Sequence, residues 1–131
     1  MTTIISNIIV TVVKGKLITF VEVPVFVKRI DDLGSIDLLT AIQDDLIKNP
    51  ERGAIIAGAK GARKARIADP SRQKGKRGGF RYIYVYFEVH DRIYLLYIYG
   101  KNEQEDLTRE QARMLGEIVK EAKEELRRGG R

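Results

Sequence analysis

Lys64 and Arg66 stand two residues apart in the segment ARKARIA, at residues 62–68, and they are the side chains whose types and spacing best suit chemistry. Alternate residues of a strand share a face, so this spacing puts the two cations about 7 Å apart on one side. Such a pair suits a phosphodiester, and RNA in particular. RNA carries its own nucleophile, the 2′-hydroxyl. A protein that cleaves it must remove that proton, neutralise the extra charge of the pentavalent phosphorane and protonate the departing 5′-oxygen. A lysine crowded by like charge and partly buried gives up its proton more readily, and Lys64 beside Arg66 has that crowding. Arginines stay charged and match phosphate oxygens in pairs. Each such donor can contribute about 3–4 kcal/mol, or 10²–10³ in rate.

The surrounding charge points the same way. Nine Lys and Arg residues lie between 60 and 81 against one acid, Asp69, in a chain of net charge +6, so the remainder is slightly acidic. A field this concentrated recruits polyanions, with binding that weakens steeply in salt. The ordinary alternative is a solvated loop. All six tyrosines fall between residues 82 and 99. Most read as sheet packing, but Tyr82 follows Arg81 and Tyr99 precedes Gly100-Lys101, so these two are expected to stack on bases while neighbouring cations hold phosphates.

Other chemistries find little support. The chain has no cysteine and one histidine, His90, which sits at a turn. Thiolate zinc sites, cysteine nucleophiles and disulfides are thereby removed, no cluster has metal-site spacing, and neither metal nor cofactor is expected. The glycines and lysines of residues 61–79 lack the spacing of a nucleotide-binding loop, and Ser71 has no base beside it. The longest apolar run, residues 4–13, is too short to span a membrane and does not read as a secretory signal, so a soluble, cytoplasmic protein is expected.

The elements that must hold these residues can be read in order. IIVTVV and LITFVEV, joined at KGK with Gly15, read as a hairpin. From Ser35, a candidate N-cap, helical spacing aligns Leu38, Leu39, Ile42 and Leu46 until Asn49-Pro50 stops it. A glycine-marked loop, 53–61, leads to the strand of Lys64 and Arg66. FRYIYVYFEV and RIYLLYIYG, apolar on both faces, read as an antiparallel hairpin turning at His90-Asp91 and lying centrally in the sheet. Thr108 and Gln111 form a capping box for a last helix whose Leu115, Ile118, Val119, Ala122 and Leu126 face the core, with Gly129 at the expected C-cap. At 131 residues this is one α+β domain with a small, antiparallel-dominated sheet flanked by helices.

Four ordered blocks carry a family resemblance: Asn49-Pro50-x-x-Gly53; Gly58-x-x-Gly61-x-Arg63-Lys64-x-Arg66; Gly75-Lys76-Arg77-Gly78-Gly79-x-Arg81-x-Ile83-Tyr84; and Tyr94-Leu95-Leu96-x-Ile98-Tyr99-Gly100-Lys101-Asn102-Glu103. With these blocks, residues 17–131 resemble the RelE/ParE superfamily of bacterial type II toxins, most closely its HigB-like branch. Residues 1–16 form an N-terminal extension outside the match, read as an extra strand, a mobile arm or the product of an upstream start codon. The resemblance implies a microbial RNase toxin fold and an endoribonuclease that cuts mRNA in the ribosomal A site without metal. It implies a cognate helix-turn-helix, HigA-like antitoxin, with operator DNA contacted only through the complex.

Carried over by residue, Lys64 and Arg66 match the family's basic pair that handles the 2′-hydroxyl and phosphate, and Arg81 matches the arginine that stabilises the transition state. The RNA-binding set is Lys74, Lys76, Arg77, Tyr82, Tyr99, Lys101 and Asn102. Asn102 stands where RelE-type members carry arginine and Thr108 where they carry tyrosine. This leaves the general acid open among Lys76, Arg77 and Lys101. A non-catalytic RNA- or ribosome-binding inhibitor is the alternative, and a degenerate toxin kept as an antitoxin partner is the third reading.

Overall fold

A computed structural model describes residues 7–13, 16–33, 36–70 and 79–129. Strands β1 (Asn7–Val13) and β2 (Lys16–Glu22) form the expected antiparallel hairpin, with Asn7 opposite Glu22 and Val13 opposite Lys16. Residues 7–13 of the N-terminal segment are thus an added edge strand. The turn glycine Gly15 lies outside the described residues, as does the expected cap Ser35.

Helix α1 (Pro24–Leu33) was not expected from the sequence. Its signals are short: Pro24 at the first helical position, where a missing N–H costs nothing, and Phe26 and Ile30 one turn apart, both buried. Helix α2 (Ile36–Lys48) buries Leu38, Ile42 and Leu46 and ends before Asn49-Pro50 as expected. The short strand β3 (Ala54–Ile55) lies inside the glycine-marked loop, and β4 (Arg63–Ile67) carries Lys64 and Arg66.

Strands β5 (Phe80–Phe87) and β6 (Arg92–Gly100) are joined by a 3₁₀ turn, Glu88–His90, with Asp91 in the left-handed region at φ 50°. Helix α3 (Arg109–Gly129) opens with the expected capping box: the Gln111 N–H donates to Thr108 Oγ1 and the Thr108 N–H to Gln111 Oε1, each at 3.0 Å. Leu115, Val119, Ala122 and Leu126 are buried and Ile118 is half-buried. Gly129 is the last helical residue and not a left-handed cap.

The strand order is β1-β2-β6-β5-β4-β3, with the long hairpin at the centre. The sheet is mixed, because β2 runs parallel to β6 with Val21 opposite Tyr94, while the other pairings are antiparallel. Tight turns dictate the antiparallel hairpins; the orientation of β2 against β6 depends on everything between them. The fold class is therefore α+β with an antiparallel-dominated sheet. Among the described residues no helix is long and apolar enough to cross a membrane.

The two sheet faces have different tasks. Tyr82 donates to Asp45 Oδ2 of α2 at 2.6 Å, whereas Tyr97, paired with Ile83 on the opposite face, meets Gln111 of α3 at 3.5 Å. Helices α2 and α3 thus cover opposite faces. Gly79, just before β5, has no room for a side chain, since a Cβ there would lie 2.3 Å from the Ile67 carbonyl oxygen. This contact draws the start of β5 against the end of β4.

Candidate nucleic-acid interface

Strand register assembles the basic residues. Arg66 lies directly opposite Arg81, and Arg81 directly opposite Tyr99, so the three share one face of adjacent strands. Lys64, two residues before Arg66, shares that face, while Ala65 and Ile67 are buried on the other. Opposed residues of antiparallel strands stand about 4.5–5.5 Å apart at Cβ, and like charges there are destabilising. Neither Arg66 nor Arg81 has an acidic partner among the described residues; the Arg81 Nη1 donates only a 3.4 Å bond to the carbonyl of Phe80. Arg66 is exposed and Arg81 half-buried. The arrangement can hold a doubly coordinated anion.

Lys64 is placed differently from expectation. Its Nζ donates to Asp106 Oδ1 at 2.7 Å, so an ion pair stands where like-charge crowding was expected. Asp106, 42 residues away in the chain, gave no sequence signal. Its carboxyl is held below the usual carboxylate range by Lys64 first and then by the Leu107 N–H.

The stacking expected of Tyr82 and Tyr99 is not available, because both are fully buried. Tyr82 belongs to the opposite face, where burial and then Asp45 push its hydroxyl far above the usual tyrosine range. Tyr99 shares the face of Arg81, but its ring is closed over. Its hydroxyl has no hydrogen-bond partner among the described residues and is raised by burial, with Asp106 adding to the shift and Arg81 opposing it. Alternating tyrosines in a central strand bury their rings because packing supplies more than solvent-exposed stacking could.

Arg63, one of the nine cations, is structural. Its Nη1 donates to the carbonyls of Glu51 at 3.1 Å and Gly53 at 2.8 Å, tying β4 to the end of the α2 connection.

Lys101 and Asn102 are exposed in the turn after β6, at the same end of the sheet as Arg66 and Arg81. The Lys101 N–H donates to Gly79 O at 3.0 Å. A brace from α1 fixes this turn: Arg29 Nε donates to Ile98 O at 2.8 Å, its Nη2 bonds Glu103, and its guanidinium lies 5.2 Å from the Tyr97 ring centre. Glu103 also accepts from the Gly100 N–H at 2.8 Å. Desolvation alone would raise the Glu103 carboxyl, but the Gly100 and Arg29 bonds outweigh it and hold it low.

Lys74, Lys76 and Arg77 lie outside the described residues. No group of three His, Cys, Asp or Glu side chains that could hold a metal occurs among the described residues. No protein-family model matches the chain.

Proposed function

We propose that residues 17–131 are a RelE/ParE-type toxin of the HigB-like branch, a ribosome-dependent endoribonuclease that cuts mRNA in the A site. The observation that carries this reading is the direct opposition of Arg66 and Arg81, with no acid paired to either among the described residues, beside Lys64. Folding gains nothing from two facing guanidinium groups; a phosphodiester gains both.

In the proposed reaction Lys64, freed from Asp106, first loses its ammonium proton to water; the 2′-oxygen then attacks phosphorus as its proton passes to the neutral amine. Arg66 and Arg81 hold the phosphorane oxygens. The bond from phosphorus to the 5′-oxygen breaks, and that oxygen takes a proton from Lys76, Arg77 or Lys101, leaving a 2′,3′-cyclic phosphate and a 5′-hydroxyl. The ribosome supplies the orientation that the open site lacks, a contribution worth several kcal/mol. Action on ribosomes makes the protein cytoplasmic. The same reading assigns a helix-turn-helix antitoxin as partner and operator DNA only to their complex.

The test is primer extension on a defined mRNA in a reconstituted translation reaction. New 3′ ends in the A-site codon, with ribosomes and wild type but not with Arg81→Ala, are expected. The Lys64–Asp106 pair and the burial of Tyr82 and Tyr99 favour a second reading, an inhibitor that occupies the A site without cutting. Stalled ribosomes on intact message would select it and withdraw the catalytic roles.

A further inference from the structure

Beside Lys64 runs an open groove of about 650 Å³, bounded by Ile55 and Ile56 on one side and by Arg109 and Arg113 of α3 on the other. The groove bears three cations, and the acid among them is Asp106. Its carboxylate is delivered by a built loop. The loop is anchored at its start by the Gly100 and Lys101 N–H bonds and at its end by the capping box, and Gln104 Nε2 donates to the Asp106 carbonyl at 2.7 Å. Oδ1 accepts from both Lys64 Nζ and the Leu107 N–H, at 2.7 and 2.8 Å, so a carboxylate oxygen sits where a phosphate oxygen would meet the lysine. Asp106 is 68% exposed at the side chain and Lys64 30%. Exposed pairs of this kind are weak, hence exchangeable.

We propose that Asp106 is an internal competitor for RNA phosphate: a carboxylate latch on Lys64 that a phosphodiester must displace before it occupies the basic face. The inference rests on the reading of that face as RNA-binding. It gives the protein a low affinity for free RNA and reserves engagement for RNA held in place by a larger assembly.

The test is fluorescence anisotropy of an end-labelled, single-stranded 2′-O-methyl RNA, which cannot be cleaved by 2′-hydroxyl attack, at about 0.1 M salt. Wild type is compared with Asp106→Asn, Lys64→Met, the double variant and Glu105→Gln, an exposed neighbouring acid that serves as charge control. The amide oxygen that Asp106→Asn leaves in place can still accept from the Leu107 N–H, and unfolding midpoints check that each variant is folded. Asp106→Asn is expected to tighten binding about threefold to fivefold. Glu105→Gln should change it by less than about twofold. In the Lys64→Met background the gain from Asp106→Asn should fall to the control level. If Asp106→Asn gains no more than Glu105→Gln, or gains equally without Lys64, the latch is overturned while the RNA-binding face stands. If no variant binds RNA, latch and face fall together.

Discussion

Two carboxylates grip a polar group at nearly the same distance on opposite faces of the sheet. Asp45 accepts from Tyr82 at 2.6 Å and pairs with Arg52 at 3.0 Å; Asp106 accepts from Lys64 at 2.7 Å. The first contact ends on a fully buried ring and a carboxylate only 23% exposed, and the second on a side chain 68% open to water. Bond length therefore says little about role. A buried partner has no water to replace the bond, so losing it costs the desolvation of the group left behind. An exposed partner exchanges with solvent or with a ligand at small cost. The Asp45 contact is built to persist, and the Asp106 contact is open to exchange.

Breaking the buried side should give the largest effect. Tyr82→Ala is expected to cost about 3–5 kcal/mol of stability through the cavity it leaves, read by urea unfolding. Arg81→Ala should leave unfolding within about 0.5 kcal/mol of wild type. It should nevertheless lower A-site cleavage by about 10²–10³, and equal cleavage by the folded variant would remove Arg81 from the mechanism. Lys64→Ala should abolish growth inhibition with the fold retained.

Asp45→Ala separates the two faces further. It should cost about 1–3 kcal/mol, because the Tyr82 hydroxyl stays buried without its acceptor, and should leave RNA affinity unchanged. Lys74→Ala, in the 71–78 segment, should weaken ribosome association modestly and reduce its salt slope by about one.

The smallest effect concerns acid. The Asp106 carboxyl is held below its ordinary 3.8, so its ion pair contributes above the unfolded-state value and is lost only as pH falls through the lowered folded value. Carboxyl NMR should find Asp106 titrating low and moving upward in Lys64→Met.

Much of the fold was legible. Alternation in residues 80–100, the helical stripe of α2 and the Thr108–Gln111 box are local patterns, and each element appears where its pattern lies. Helix α1 was missed because it is ten residues long and lies between a strand and another helix, where a two-residue apolar stripe is a weak signal. The parallel pairing of β2 with β6 was hidden because register between distant strands has no local code. The brace of Arg29 and Glu103, 74 residues apart, was hidden for the same reason.

The site divides along the same line. Sequence alone determined which side chains are cationic, that Lys64 and Arg66 share a strand face, and that a basic segment adjoins a tyrosine-rich hairpin. Tertiary structure decided that Arg66 opposes Arg81, that Arg63 is a brace, that Tyr82 and Tyr99 are buried and that Asp106 holds Lys64. Periodicity is a property of neighbouring residues and is written in the chain. Opposition, burial and ion pairing depend on which distant segments meet, and packing of the whole domain settles that.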